Sequence, residues 1–198
     1  MDLILGSNSL RRKNILNFFA IPFRQIVSHF TENDPVFGED PKEYCMKLAV
    51  GKGETLSRHH PESVILTADT IVHCKGKIYN KPADEEEAFS FLKAFSGELV
   101  EVYTGVCVHK NKEVHVDCER TDLWFNHLTD KQIRAYHQFL EFTDLAGAFA
   151  IEGGGSLPIQ KIDGCFYNVL GLPINTTKKL LLKVGIDLWE FLGPKQEK

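Results

Sequence analysis

Residues able to do chemistry cluster in four places along the chain. The first is Gly6-Ser7-Asn8-Ser9-Leu10-Arg11-Arg12, where a short apolar run meets a hydroxyl-rich turn and then two arginines at the start of a helical stripe. Backbone N–H groups at a helix start favour anions, and guanidinium forks match phosphate oxygens. Two cations beside the positive end of a helix dipole are unfavourable unless an anion neutralises them. Ser7 and Ser9 can equally act as plain caps, with Arg11 and Arg12 solvated. The segment lacks the Gly-Lys-Ser/Thr ending of a P-loop.

The second is Lys52, which shares one helix side with Leu48, Ala49, Thr55 and Leu56. A lysine so placed either snorkels outward or faces a cleft. The third is Thr67-Ala68-Asp69-Thr70, with Asp69 expected at the C-terminal end of a buried strand over residues 64–68. Open α/β sheets gather ligands at such ends, so Asp69 suits metal binding or proton abstraction. It can also simply end the strand by bonding nearby backbone. Lys81-Pro82 follows about a hairpin later, and Glu32 lies in the loop His29-Phe30-Thr31-Glu32-Asn33-Asp34-Pro35.

The fourth is Ala146-Gly147-Ala148-Phe149-Ala150-Ile151-Glu152, followed by three glycines. Small residues there permit close approach of a planar ligand or a tight turn. His59-His60 lacks zinc spacing, and no serine sits in a Gly-x-Ser-x-Gly elbow, so acyl transfer has no anchor.

These groups must be positioned by alternating strands and helices. Residues 3–5 form a strand, a helix ends before Pro22, and a second helix covers about 41–58 with Cys45, Leu48, Ala49 and Leu56 inward. A hairpin over 71–79 turns at Lys75-Gly76-Lys77, and Asp84 caps a helix that Gly97 stops. Residues 99–109 and 113–125 are long antiparallel strands, so the sheet is mixed and this segment offers a pairing edge. Thr129 and Gln132 make a capping box. Short strands are expected over 149–152, 159–162 and 165–169, and Pro173 opens a last helix that Gly185 stops. Residues 1–193 form one unit of two lobes, and 194–198 are a polar tail.

A chain of 198 residues that is 43% hydrophobic can bury a full core. Its net charge of −4 argues against stable nucleic-acid binding, so an anionic ligand must meet a local positive cluster. No apolar run is long enough to span a membrane, and no leader pattern opens the sequence. Five scattered cysteines without a Cys-x-x-Cys pair fit free thiols, and a cytoplasmic location is expected.

Taken in order, these pieces resemble the Maf family of nucleoside triphosphate pyrophosphatases, associated by name with septum formation. The match runs through Ser7-Asn8-Ser9-Leu10-Arg11-Arg12, Glu32, Lys52, Ala68-Asp69-Thr70-Ile71-Val72, Lys81-Pro82, Ser96-Gly97 and Tyr103-Thr104-Gly105-Val106. It continues with Ala146-Gly147-Ala148-Phe149-Ala150-Ile151 and Asn168-Val169-Leu170-Gly171-Leu172-Pro173. The resemblance implies an α/β fold with an elongated mixed sheet in two lobes around a central cleft, flanked by helices. It implies a divalent cation such as Mg or Mn, cleavage between the α- and β-phosphates, and a homodimer. By that likeness Asp69, Lys52 and Lys81 are catalytic, and Glu32 and Asp69 hold the metal. Ser7, Ser9, Arg11 and Arg12 then bind phosphate, and Arg11, Thr70 and Glu152 read the base.

The chain departs from the family pattern at Leu10, Val100, Leu145 and Glu152. Branches preferring dTTP and UTP typically carry glutamine where Glu152 stands. A carboxylate only accepts hydrogen bonds, so Glu152 favours a base edge rich in N–H donors and leaves the base open. A non-catalytic nucleotide-binding regulator of cell division is the competing class, against which the retained Arg12, Lys52, Asp69 and Lys81 weigh.

Overall fold

The computed structural model describes residues 2–31 and 40–193. Glu32 therefore lies outside the described residues, as does the 194–198 tail.

Seven strands among the described residues form one mixed sheet. In chain order they are β1 (Leu3–Leu5), β2 (Phe23–Gln25), β3 (Val64–Cys74), β4 (Lys77–Tyr79), β5 (Leu99–Lys110), β6 (Glu113–Phe125) and β7 (Ile159–Asp163). The spatial order is β2-β1-β3-β5-β6-β7, with β4 paired to the end of β3. β1 pairs in parallel with β2 and β3, while β3–β4, β3–β5, β5–β6 and β6–β7 are antiparallel.

The helices are α1 (Leu10–Leu16), α2 (Pro41–Ser57), α3 (Glu85–Phe95), α4 (Asp130–Phe139), α5 (Phe166–Val169) and α6 (Ile174–Lys183). α2 covers one face of the sheet, burying Tyr44, Cys45 and Leu48 against Ile71 and Tyr103, and Leu56 against Ile4 and Ile65. The main core occupies the opposite face, where Leu66, Ala68, Val72, Val102 and Val106 meet residues of α3, α4 and α6. Cover on both faces explains why β3 is buried along almost its whole length. None of the described helices is long and apolar enough to cross a membrane.

Three expectations are corrected. Asp69 does not end a strand, because β3 continues to Cys74. What ends there is its neighbour: β1 pairs with β3 only as far as Leu66, and β4 pairs with it only from Val72 onward. Asp69 and Thr70 thus occupy a notch in the sheet, with β5 still paired on the other side. Residues 149–152 are not a strand, since the Tyr136 hydroxyl accepts from Ala150 N (3.1 Å) and donates to the Gly155 carbonyl (2.7 Å) in place of a ladder. The expected strand over 165–169 is instead the short helix α5 (Phe166–Val169), entered through Cys165 after a turn at Gly164. The pairing edge is also narrower than expected. β5 is paired on both sides, and among the described residues of this segment 113–121 of β6 lack a strand neighbour beyond them.

Gly105 of β5 lets α2 settle onto the sheet. A Cβ there would lie 2.6 Å from the Cys45 carbonyl oxygen, and Cys45 Sγ reaches to 3.3 Å from Cys118 Sγ of β6. The close seating brings Lys52, two turns further along α2, over β3.

Candidate active site

The notch in β3 opens into a cleft of ≈ 390 Å³. Ser7, Ser9, Arg11, Arg12, Lys52, Asp69, Thr70 and Lys81 all line it, so eight of the sequence-derived candidates converge. Four cations face two carboxylates, Asp69 and Asp144, in the described lining. This supplies the local positive cluster that a chain of net charge −4 needs to hold an anion.

Strand alternation divides the work between the two sides of β3. On the α2 side, Lys52 Nζ donates to Asp69 Oδ1, and the pair is nearly enclosed, with side chains 16% and 10% exposed. Asp69 is thereby held as an oriented acceptor at the cleft surface. On the opposite side, Ser9 caps the start of α1, its hydroxyl accepting from Arg12 N, while Ser7 Oγ accepts from Ser9 N (3.2 Å). The Arg12 side chain then folds back over the turn. Its Nε donates to the Gly171 carbonyl (2.8 Å), Nη1 to Ser7 Oγ (3.3 Å) and Nη2 to Thr70 Oγ1 (2.9 Å). The unfavourable placement at the helix start is offset by these oxygens, and the guanidinium is fixed in the cleft wall.

At the far rim, Lys81 Nζ pairs with the Asp144 carboxylate, and Arg11 Nη2 donates to the Asp144 carbonyl (3.3 Å). Burial lowers the Arg11 pKa, while the charges of Asp144 and Glu152 act the other way. Arginine stays protonated under such a balance. Glu152 itself is exposed and does not line the cleft; its connection to the site is this field at Arg11.

The wall from Ala146 to Ile151 is held from behind. Phe149 packs edge-on against Phe125 (5.2 Å between centroids) and Phe95 (6.2 Å), pairs worth about 0.5–1.5 kcal/mol each beyond their burial. Sequence reasoning missed Asp144, although it lies two residues before the small-residue segment already singled out. It also assigned no role to Gly171, whose carbonyl anchors Arg12. Leu145, one of the departures from the family pattern, is buried. Among the described residues no group of three or more His, Cys, Asp or Glu converges on one metal position.

A family model described as Maf-like protein matches residues 2–184. The chain is 44% identical over 192 residues to a dTTP/UTP pyrophosphatase of Chlamydia caviae, covering 96% of this chain and 98% of that protein. It is 37% identical over 193 residues to a nucleoside triphosphate pyrophosphatase of Chlamydia muridarum, covering 97% and 98%. Among solved structures it is similar to the Staphylococcus aureus Ham1 protein, at a TM-score of 0.48 and 11% identity over 97% of this chain and 94% of that one. With the ordered motifs gathered around one cleft and a match over nearly its whole length, the chain belongs to the Maf-like protein family.

Proposed function

We propose that this protein hydrolyses a nucleoside triphosphate to the monophosphate and pyrophosphate. The observation that carries the proposal is the Lys52–Asp69 pair set in the same cleft as Arg11, Arg12 and Lys81. Relatives that are dTTP/UTP and nucleoside triphosphate pyrophosphatases support it. No finding favours the regulator.

In the proposed reaction a water oxygen attacks the α-phosphorus as its proton passes to Asp69. The bond from that phosphorus to the α–β bridging oxygen breaks, and pyrophosphate leaves with the electron pair. Lys52 orients the Asp69 carboxylate and adds positive charge beside the reacting phosphate. Arg11, Arg12, Lys81 and the Ser7–Ser9 turn hold the triphosphate in line, which is most of what phosphoryl transfer asks of a protein.

A divalent cation fits this site. Mg²⁺ commonly takes one or two carboxylates and completes its shell with water and substrate phosphate, so three converging protein ligands are not required. Asp69 would hold it, with Glu32 as second ligand by family likeness, and the ion would neutralise phosphate charge. Base recognition is assigned to the Arg11, Thr70 and Glu152 region. A cytoplasmic location, a two-lobed unit over residues 1–193 and a homodimer complete the proposal.

The test is incubation of purified protein with each common and modified nucleoside triphosphate plus Mg²⁺ or Mn²⁺, followed by pyrophosphate detection. Orthophosphate release in place of pyrophosphate would reassign the cleaved bond, and no release from any of them would reject hydrolysis.

A further inference from the structure

Thr70 Oγ1, which accepts from Arg12, lies 3.0 Å from Thr104 Oγ1 of β5. Thr104 Oγ1 is in turn 2.8 Å from the carbonyl oxygen of Asn168 in α5. A threonine carries one O–H, and a carbonyl can only accept. Thr104 therefore gives its proton to Asn168, and the proton between the two threonines belongs to Thr70. The chain has one direction: Arg12 to Thr70 to Thr104 to the Asn168 carbonyl.

The same carbonyl accepts from Gly171 N (2.9 Å), and the Gly171 carbonyl accepts from Arg12 Nε. The five residues close a hydrogen-bonded ring that joins α1, β3, β5 and the segment after α5. Its inner side is rigid. Thr104 and Asn168 are 0% exposed, and Asn168 Nδ2 donates to the Val102 carbonyl and to Thr121 Oγ1, both at 2.9 Å. Turning that amide over would set Oδ1 against the Val102 carbonyl, so its orientation is forced. Gly171 has φ of +97°, and a Cβ there would lie 3.1 Å from Thr70 Oγ1 and 3.2 Å from Arg12 Nε. Only glycine closes the ring without crowding it.

We infer that Thr104 and Asn168 are positioning residues that aim the Arg12 guanidinium at substrate phosphate by fixing the direction of the Thr70 hydroxyl. Neither lines the cleft, so neither touches substrate. Thr70 turns its proton inward and offers the cleft only lone pairs, one of which Arg12 already engages. Direct donation from Thr70 to a base is therefore excluded. The inference rests on the phosphate-binding role proposed for Arg12.

Inorganic tripolyphosphate, titrated calorimetrically into the full chain, tests it without requiring turnover. Thr104→Val keeps the shape and removes the hydroxyl, and affinity should fall about tenfold. Thr104→Ser should restore binding to within about twofold of wild type. In an Arg12→Lys background, where the three-way fork is gone, Thr104→Val should cost less than about twofold, because coupled groups are not additive. An equal loss in both backgrounds, no loss in the wild-type background, failure of serine to rescue, or no tripolyphosphate binding by wild type each overturns the inference. Should the valine variant not fold, the Arg12 Nε–H resonance of the wild type decides, identified by its loss in Arg12→Lys. Slow solvent exchange is expected, and exchange at the rate of a free guanidinium rejects the ring. Failure of wild type to release pyrophosphate counts against the proposed reaction and leaves these binding outcomes unaffected.

Discussion

Asp69 and Thr70 are adjacent in sequence and serve opposite faces of one strand: Asp69 meets Lys52 from α2, and Thr70 meets Arg12 from α1. The cleft can use both because, among the described residues, β3 has no strand neighbour between Leu66 and Val72 on the side of β1 and β4. The proposed proton acceptor and the proposed phosphate clamp are thus set by a single backbone.

Asp69→Asn keeps the size of the side chain and removes its basicity. It should lower kcat for pyrophosphate release by about 10²–10⁴-fold, the range for loss of a positioned proton acceptor. Turnover within a few-fold of wild type would remove Asp69 from the mechanism.

Lys81 and Asp144 form an exposed pair, with side chains 62% and 72% accessible. Such pairs contribute about 0–1 kcal/mol, so Asp144→Asn should leave the thermal midpoint nearly unchanged. The same variant frees Lys81 for phosphate and should lower KM, whereas Lys81→Ala should raise it. Steady-state kinetics at two salt concentrations separate these effects, since the gain should shrink as ionic strength rises.

Gly105→Ala pushes a methyl group against the α2 backbone at Cys45. Overpacking of this kind costs about 1–3 kcal/mol, and each kcal/mol lowers the melting temperature of a chain this size by about 2–4 °C. Because α2 also carries Lys52, activity should fall with stability. A fully active variant with an unchanged melting curve would mean that α2 shifts without disturbing the Lys52–Asp69 pair.

Glu152→Gln replaces an acceptor-only group with one that also donates. It should shift relative kcat/KM toward dTTP and UTP and away from guanine nucleotides, measured across a substrate panel. Identical ratios before and after the change would place Glu152 outside base recognition.

His109 and His137 are buried, and burial lowers both pKa values despite nearby Glu54 and Glu85. The unfolded chain binds protons at these sites first, so stability is fully present above the unfolded value of about 6.5 and is lost as pH falls toward the folded values. Denaturant midpoints should decline on acidification through that window. His137→Gln, which cannot charge, should flatten the decline; an unaltered slope would assign it to other groups.

Much of this was legible in the residues. The apolar run of β3, the inward side of α2, the Asp84 and Thr129 caps and the β5–β6 hairpin follow from local pattern, and the structure has them. Asp69 was found but misplaced, because strand ends are marked in sequence by polarity, while the notch is made by β1 and β4 stopping. Residues 149–152 resemble a strand since Phe149 and Glu152 are extended, yet a tyrosine hydroxyl and not a ladder takes the Ala150 N–H. The ring was illegible in principle. Thr70 and Thr104 lie 34 residues apart and meet only through the β3–β5 register, and nothing local marks a threonine as part of a proton-directed chain.

That register has an evolutionary corollary. Adding or deleting one residue in β3 upstream of Asp69 would exchange the faces of every side chain beyond it, presenting a hydroxyl to Lys52 and a carboxylate to Arg12. Length changes should therefore be purged from this strand across descendants of the chain. The Lys75-Gly76 turn, exposed and downstream of both residues, is where insertions can accumulate at little cost.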